Sequence, residues 1–238
     1  MNRVLVFTIA FGSLLFLLTP WWLLLNGNAE WSTQDAWPMF RHDPEHTGFS
    51  ISAAPTTNRT LWKYTTKGQV WSSPAVFDGV VYVGSFDHNV YALNASTGIQ
   101  LWNFPTGGKV YSSSTVVEGR VHVASDDCAV YALNAQTGKQ LWNYTTGDTV
   151  QSSPAVSDGA VYIGSNDTNI YAFNASTGKK LWVFKTGSYV ASSPAVAGGM
   201  VYIGSFDNNT YALNAATGAL VWNFTTSYGI CMQSSPAV

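Results

Sequence analysis

An all-β repeat protein is predicted by three features of the 238-residue sequence. First, the stretch at residues 92–102, ALNASTGIQLW, recurs with a period of 40 in copies ending at Trp142, Trp182 and Trp222, and Trp62 closes a partial earlier copy. Second, Asp-Gly, Asp-x-Asn and Thr-Gly turns separate short runs rich in Val, Ile and Tyr, leaving no room for a helix within a copy. Third, the middle runs are apolar on both faces, as Val81, Tyr82, Val83, Tyr91 and Leu93 show, so each sheet is covered on both sides. Four-stranded sheets stacked face to face around an axis meet that demand. The fold predicted is a β-propeller with complete copies at about 69–108, 109–148, 149–188 and 189–228 plus partial blades, an incomplete ring.

Ahead of the repeats, residues 4–25 carry no charge. As a helix they would extend about 33 Å, enough for a bilayer. Trp21 and Trp22 suit the membrane interface at its outer end. A cleaved signal peptide has a shorter apolar centre of about 7–15 residues, although Gly27, Asn28 and Ala29 offer small residues for cleavage. Residues 1–29 therefore read as a signal anchor or a signal peptide, the length favouring an anchor. Arg3 keeps the start of the chain cytoplasmic and places the remainder outside.

Residues 30–60 have no strict period and are interrupted by Pro38, Pro44 and Pro55. They are expected to form a linker or an N-terminal cap, with Trp37 and Phe40 against the propeller edge and the charges in water. His42 and His46, with Asp43 and Glu45 between them, have metal-ligand chemistry. Pro44 and Gly48 argue against the helix that would align the two histidines.

The repeats occupy residues 61–238, and from Gln69 onward each copy is expected to hold four strands, in the first copy at 71–76, 80–85, 90–95 and 99–104. Gly98 supplies a positive φ in the hairpin turn, and Asn94 and Thr97 bond the turn's own backbone. Small Ala92 and the large indoles of Trp102, Trp142, Trp182 and Trp222 are expected to dock neighbouring copies. Asp87, Asp127, Asp167 and Asp207 recur at one position, and Asp78 and Asp158 at another, as turn residues do. A catalytic acid should break the pattern. Glu118, Asp126 and Asp148 do so, but Glu118 occupies the Asp-Gly turn position and Asp148 the connection between copies.

Copy two departs most, with Ser114 and Thr115 for Pro-Ala, Ala124 for Gly and His122 for Tyr. His122 is expected to be packed and hydrogen-bonded to a neighbouring blade. One rim position carries Trp71, Tyr111, Gln151 and Ala191 in successive copies. Variation at a rim over constant sheets marks a candidate binding surface.

Composition excludes other partners. A net charge of −2 with 10% charged residues provides no basic stripe for nucleic acid and no polybasic patch for anionic lipid. Cys128 and Cys231 occupy non-equivalent positions, leaving two free thiols or one bridge open. The glycosylation pattern Asn-x-Ser/Thr occurs at Asn58, Asn94, Asn143, Asn166, Asn174, Asn208 and Asn223, compatible with a glycosylated exterior.

The A-x-N-x-x-T-G-x-x-x-W stretch resembles the tryptophan-docking motif of the pyrroloquinoline quinone (PQQ) repeat propellers. The SSPAV runs at 72–76, 152–156 and 192–196 and the opening WPMFRHDPEHTG at 37–48 are similar to what accompanies it there. The resemblance covers residues 37–238 and implies one of two functional classes. PQQ-dependent alcohol and sugar dehydrogenases use calcium, an aspartate base and often adjacent cysteines; non-enzymatic members, such as the outer-membrane assembly lipoprotein, bind protein segments. No adjacent cysteines occur here, and no carboxylate outside the turns suggests a cation site. No catalytic or cofactor residue is assigned, so a protein-binding or scaffold module is expected, with a dehydrogenase fragment holding PQQ and calcium as the alternative. After a connection containing Cys231, SSPAV recurs at 234–238, where the sequence stops inside a new first strand. As written, the chain is expected to be an open arc prone to self-association through its edges.

Overall fold

Each 40-residue copy closes on itself as one antiparallel four-stranded sheet, its strands in sequence order. The computed structural model describes residues 36–50, 58–226 and 234–238. The apolar stretch 4–25 and Cys231 lie outside the described residues. No helix among the described residues is long and apolar enough to cross a membrane.

The first sheet comprises β1 (Ala75–Phe77), β2 (Val80–Ser85), β3 (Asn89–Asn94) and β4 (Gln100–Pro105). The second comprises β5 (Thr115–Val117), β6 (Arg120–Ala124), β7 (Ala129–Asn134) and β8 (Gln140–Thr145). The third comprises β9 (Ala155–Ser157), β10 (Ala160–Gly164), β11 (Asn169–Asn174) and β12 (Lys180–Lys185). The fourth comprises β13 (Ala195–Ala197), β14 (Met200–Gly204), β15 (Asn209–Asn214) and β16 (Leu220–Thr225). Asp78 and Gly79 both have positive φ, the backbone of a tight two-residue hairpin whose twist matches its strands.

The two middle strands of each sheet are buried on both faces, and their Val, Ile, Leu and Tyr side chains form the inter-sheet cores. Ala92 pairs with Trp102 and Leu93 with Gln100, with a register shift between them. The same irregularity recurs in the other three sheets, so it belongs to the motif.

The inner strand is shorter than the 71–76 run expected, and the SSP residues explain why. Ser72 Oγ accepts the Gly84 N–H at 2.9 Å, taking a side-chain route where a ladder bond would lie. Pro74 has no N–H to donate. The second serine faces the next copy: the backbone N–H groups of Ser73, Ser113, Ser153 and Ser193 each donate at 2.9 Å to the serine hydroxyl of the following copy, ending at Ser235. This relay stitches consecutive sheets along their inner edges.

The 37–46 segment pairs with inner-edge residues of the first, second and fourth sheets and with Val238. Val76 N–H donates to Trp37 O, Val116 N–H to Pro38 O, Val196 N–H to Pro44 O and Val238 N–H to Glu45 O. Met39 is buried, and His46 is buried with Nδ1 2.8 Å from Pro236 O. Inner-strand edges that would otherwise be open templates for pairing are thereby covered.

Candidate functional site: the varied rim

The tryptophan motif shows first what the repeat spends on structure. Trp102 Nε1–H donates to Ala135 O of the next copy at 2.8 Å, Trp142 to Ala175 O at 2.9 Å and Trp182 to Ala215 O at 2.8 Å. Each indole lies over the following Thr-Gly turn, where a Cβ on Gly138, Gly178 or Gly218 would stand 2.6–2.7 Å from the ring. Those glycines also have φ near +70°, so two independent constraints require the missing side chain. Asn94 Oδ1 accepts the Ser96 and Thr97 N–H groups and the Thr97 hydroxyl, filling its acceptor capacity within the turn. Trp222 is 44% exposed, against 8–9% for Trp102, Trp142 and Trp182.

The recurrent aspartates are equally occupied. Asp87 Oδ2 accepts the Tyr91 hydroxyl at 2.8 Å and the Lys67 N–H at 2.9 Å, while Oδ1 accepts the Asn89 N–H. Burial pushes the Asp87 carboxyl up, but these hydrogen bonds outweigh it and hold it below the usual carboxylate range; Asp207 is held down in the same way. Burial and the Asp127 carboxylate push the Tyr131 phenol up, keeping it a neutral donor.

The two ends of the sheets differ. The connections between copies meet the β2–β3 type turns at one end, where Phe86 N–H donates to Gln69 O and Asp126 N–H to Lys109 O. Here the structure brings together Trp71 and Tyr111 from the rim position with Phe86 from the neighbouring turn. Ring centroids lie 5.4 Å apart for Trp71 and Phe86, 5.9 Å for Trp71 and Tyr111 and 4.3 Å for Phe86 and Tyr111. Lys109 Nζ sits 5.3 Å from the Phe86 centroid, in cation–π range. Trp71 remains 67% exposed.

Along the same end the surface turns polar. Asp126 takes the position of Phe86, and Asn166 follows it in copy three. Asp126 Oδ1 and Asn166 Oδ1 are buried without a hydrogen-bond partner. Burial pushes the Asp126 carboxyl up, opposed by the Gln151 side chain and the Lys109 charge. In copy four the surface becomes aromatic again, with Tyr189 and Phe206 at 6.3 Å and Tyr189 53% exposed. Sequence reading singled out Trp71, Tyr111 and Gln151 as a candidate rim and did not include Phe86, Lys109, Tyr189 and Phe206, which the structure places at the same end. The available signal was the series Phe86, Asp126, Asn166, Phe206, which varies at one repeat position as the rim series does.

Several other candidates are placed elsewhere. His42 Nδ1 lies 3.2 Å from Asp43 while His46 turns to Pro236 O, so the pair does not converge. Among the described residues no three His, Cys, Asp or Glu gather as a metal site. Cys128 is a free thiol, pushed up by burial and neighbouring carboxylates. Of the glycosylation-pattern asparagines, Asn58, Asn143 and Asn223 are exposed, whereas Asn94, Asn166, Asn174 and Asn208 are half-buried. His122 departs from expectation: it is fully buried, yet neither ring nitrogen has a hydrogen-bond partner.

No curated protein matches the sequence. Solved structures that it resembles include BamB from Moraxella catarrhalis, at 19% identity and a TM-score of 0.64, covering 73% of this chain and 57% of that one. The quinohemoprotein alcohol dehydrogenase from Comamonas testosteroni aligns at 20% identity and a TM-score of 0.73, covering 87% and 43%. A europium-containing methanol dehydrogenase aligns at 17% identity and a TM-score of 0.71, covering 82% and 49%. The chain thus spans about half the length of these structures, and at such identities they share its fold. Residues 49–153 and 145–238 match the family model described as outer membrane protein assembly factor BamB, and the chain belongs to this family of PQQ-repeat β-propellers.

Proposed function

We propose that the chain is an extracytoplasmic, membrane-anchored protein-binding module whose partner docks on the rim formed by Trp71, Phe86 and Tyr111. The observation that carries this reading is the clustering of three aromatic rings around an exposed Trp71. Tryptophan and tyrosine are the side chains enriched where a partner's apolar segment is desolvated. Lys109 beside the cluster supplies a cation to orient an acidic or carbonyl-rich segment. In this arrangement residues 1–29 hold the protein at the membrane or direct its export, residues 30–60 link and cap, and residues 61–238 present the rim.

The test is capture of envelope proteins by the immobilised chain and by a Trp71→Ala/Tyr111→Ala variant. A partner retained by the parent chain should be lost by the variant while its thermal unfolding is unchanged. Equal retention by both overturns the rim assignment.

A second reading, the propeller of a PQQ-dependent dehydrogenase, is favoured by the higher TM-scores of the dehydrogenases and by Asp126 at the same end of the sheets. It predicts calcium-dependent binding of PQQ, read as quenching of tryptophan fluorescence. No quenching by the complete protein leaves the binding module.

A further inference from the structure

Copies one and three fill one inter-sheet position with a tyrosine. Tyr82, on β2, directs its hydroxyl to Ala135 O of the following copy at 3.3 Å, and Tyr162, on β10, to Ala215 O at 3.2 Å. Each carbonyl thus receives two donors, the phenol and the docking indole. Both phenol rings rest beside that indole, with centroids 5.8 Å apart.

Copy two places His122 there. Its ring keeps the place beside the indole, 5.6 Å from Trp142, but is too short to reach the next copy. Ala175 O retains the Trp142 N–H at 2.9 Å and receives no second donor of the tyrosine type. A cavity of about 170 Å³ opens between His122 and Ala175, walled by Val117 and Val156 and with Glu118, Arg120 and Asp158 also lining it. A single water occupies about 30 Å³ of liquid, so the space exceeds one bridging water.

We infer that this cavity is a binding site for a small neutral phenol, whose hydroxyl takes the place left by the missing tyrosine. The ring would lie between Val117 and Val156 near the Trp142 indole, and the hydroxyl would donate to Ala175 O. One His122 ring N–H would donate to the phenol oxygen. A hydroxyl both donates and accepts, so it can serve the carbonyl and one imidazole nitrogen together, the other nitrogen pointing away from it. Both imidazole nitrogens are buried and without partners, a cost that such a ligand relieves at one of them. The carboxylates of Glu118 and Asp158 in the lining disfavour an anionic ligand. The site lies by the Asp-Gly type turns, at the opposite end of the sheets from the aromatic rim.

Titration of the full chain with phenol, followed by the His122 ring and Trp142 indole resonances, tests the proposal. Saturable shifts of both are expected, with toluene, which lacks the hydroxyl, binding at least tenfold more weakly. His122→Tyr restores the residue of the other copies and should abolish the response while near-ultraviolet circular dichroism shows an intact fold. Absence of saturable shifts overturns the site, and so does equal binding of toluene or an undiminished response in His122→Tyr.

Discussion

At the scale of single residues, the motif places two demands on one atom position. Gly178 has φ +70° and lies under the Trp142 indole, 2.7 Å from where a Cβ would sit. Gly178→Ala should therefore cost about 1–2 kcal/mol for the left-handed backbone and a further ~1–3 kcal/mol for overpacking, measured by urea unfolding. Thr168 presents the reverse case. It is β-branched at φ +74°, in the position where copy four has Asn208 at +68°. Thr168→Asn should stabilise the fold by about 1 kcal/mol, since asparagine tolerates this region far better.

His122 makes stability depend on pH. Burial, reinforced by the Arg120 charge, pushes it down to about 3 from an ordinary value of 6.5. The unfolded chain therefore takes up a proton first as pH falls. The stabilisation is complete above pH 6.5 and erodes through the acidic range towards the folded value, at up to ~1.4 kcal/mol per pH unit. His46, also pushed down by burial, adds in the same direction. Comparing the parent with His122→Tyr between pH 7 and pH 5 isolates the contribution of His122, and the variant should show the shallower slope. Identical slopes would mean that His122 does not titrate between the two states.

At the scale of elements, the inner strands depend on partners outside their own sheets. Each is only three residues long. The serine relay and the 37–46 segment supply what a short strand lacks. Ser153→Ala removes the acceptor of the buried Ser113 N–H and should cost about 1–3 kcal/mol. Deleting residues 36–48 should speed amide exchange at Val76, Val116 and Val196 ahead of the middle strands, because those N–H groups lose Trp37, Pro38 and Pro44 as acceptors. Unchanged exchange there would show that the segment does not protect the inner edge in solution.

At the scale of the whole molecule, two aromatic side chains of the fourth sheet stand out from their counterparts in the other three. Trp222 and Phe224, on one face of β16, are 44% and 63% exposed, whereas Trp182 at the place of Trp222 in copy three is 9% exposed. Exposed aromatic side chains two residues apart on one strand face promote association. The 238-residue chain should sediment with an apparent mass that rises with concentration, and Phe224→Lys should reduce that rise while the aromatic rim remains free to bind its partner.

The sequence by itself determined the sheet count, the turn chemistry and the docking tryptophans. Those properties are written locally, in a period of 40, in glycines at positive φ and in apolar runs of strand length. Its recurrence also identified Asp87 and its equivalents as turn residues. Tertiary structure alone decided that Phe86 joins Trp71 and Tyr111, since residues from different turns and copies meet only when the sheets stack. It placed 37–46 on the inner edges, a pairing of segments as far apart as Glu45 and Val238 that no local pattern encodes. It also left His122 without the hydrogen bond expected of it, because a ring shorter than tyrosine cannot span the distance between two sheets whose spacing the other copies set.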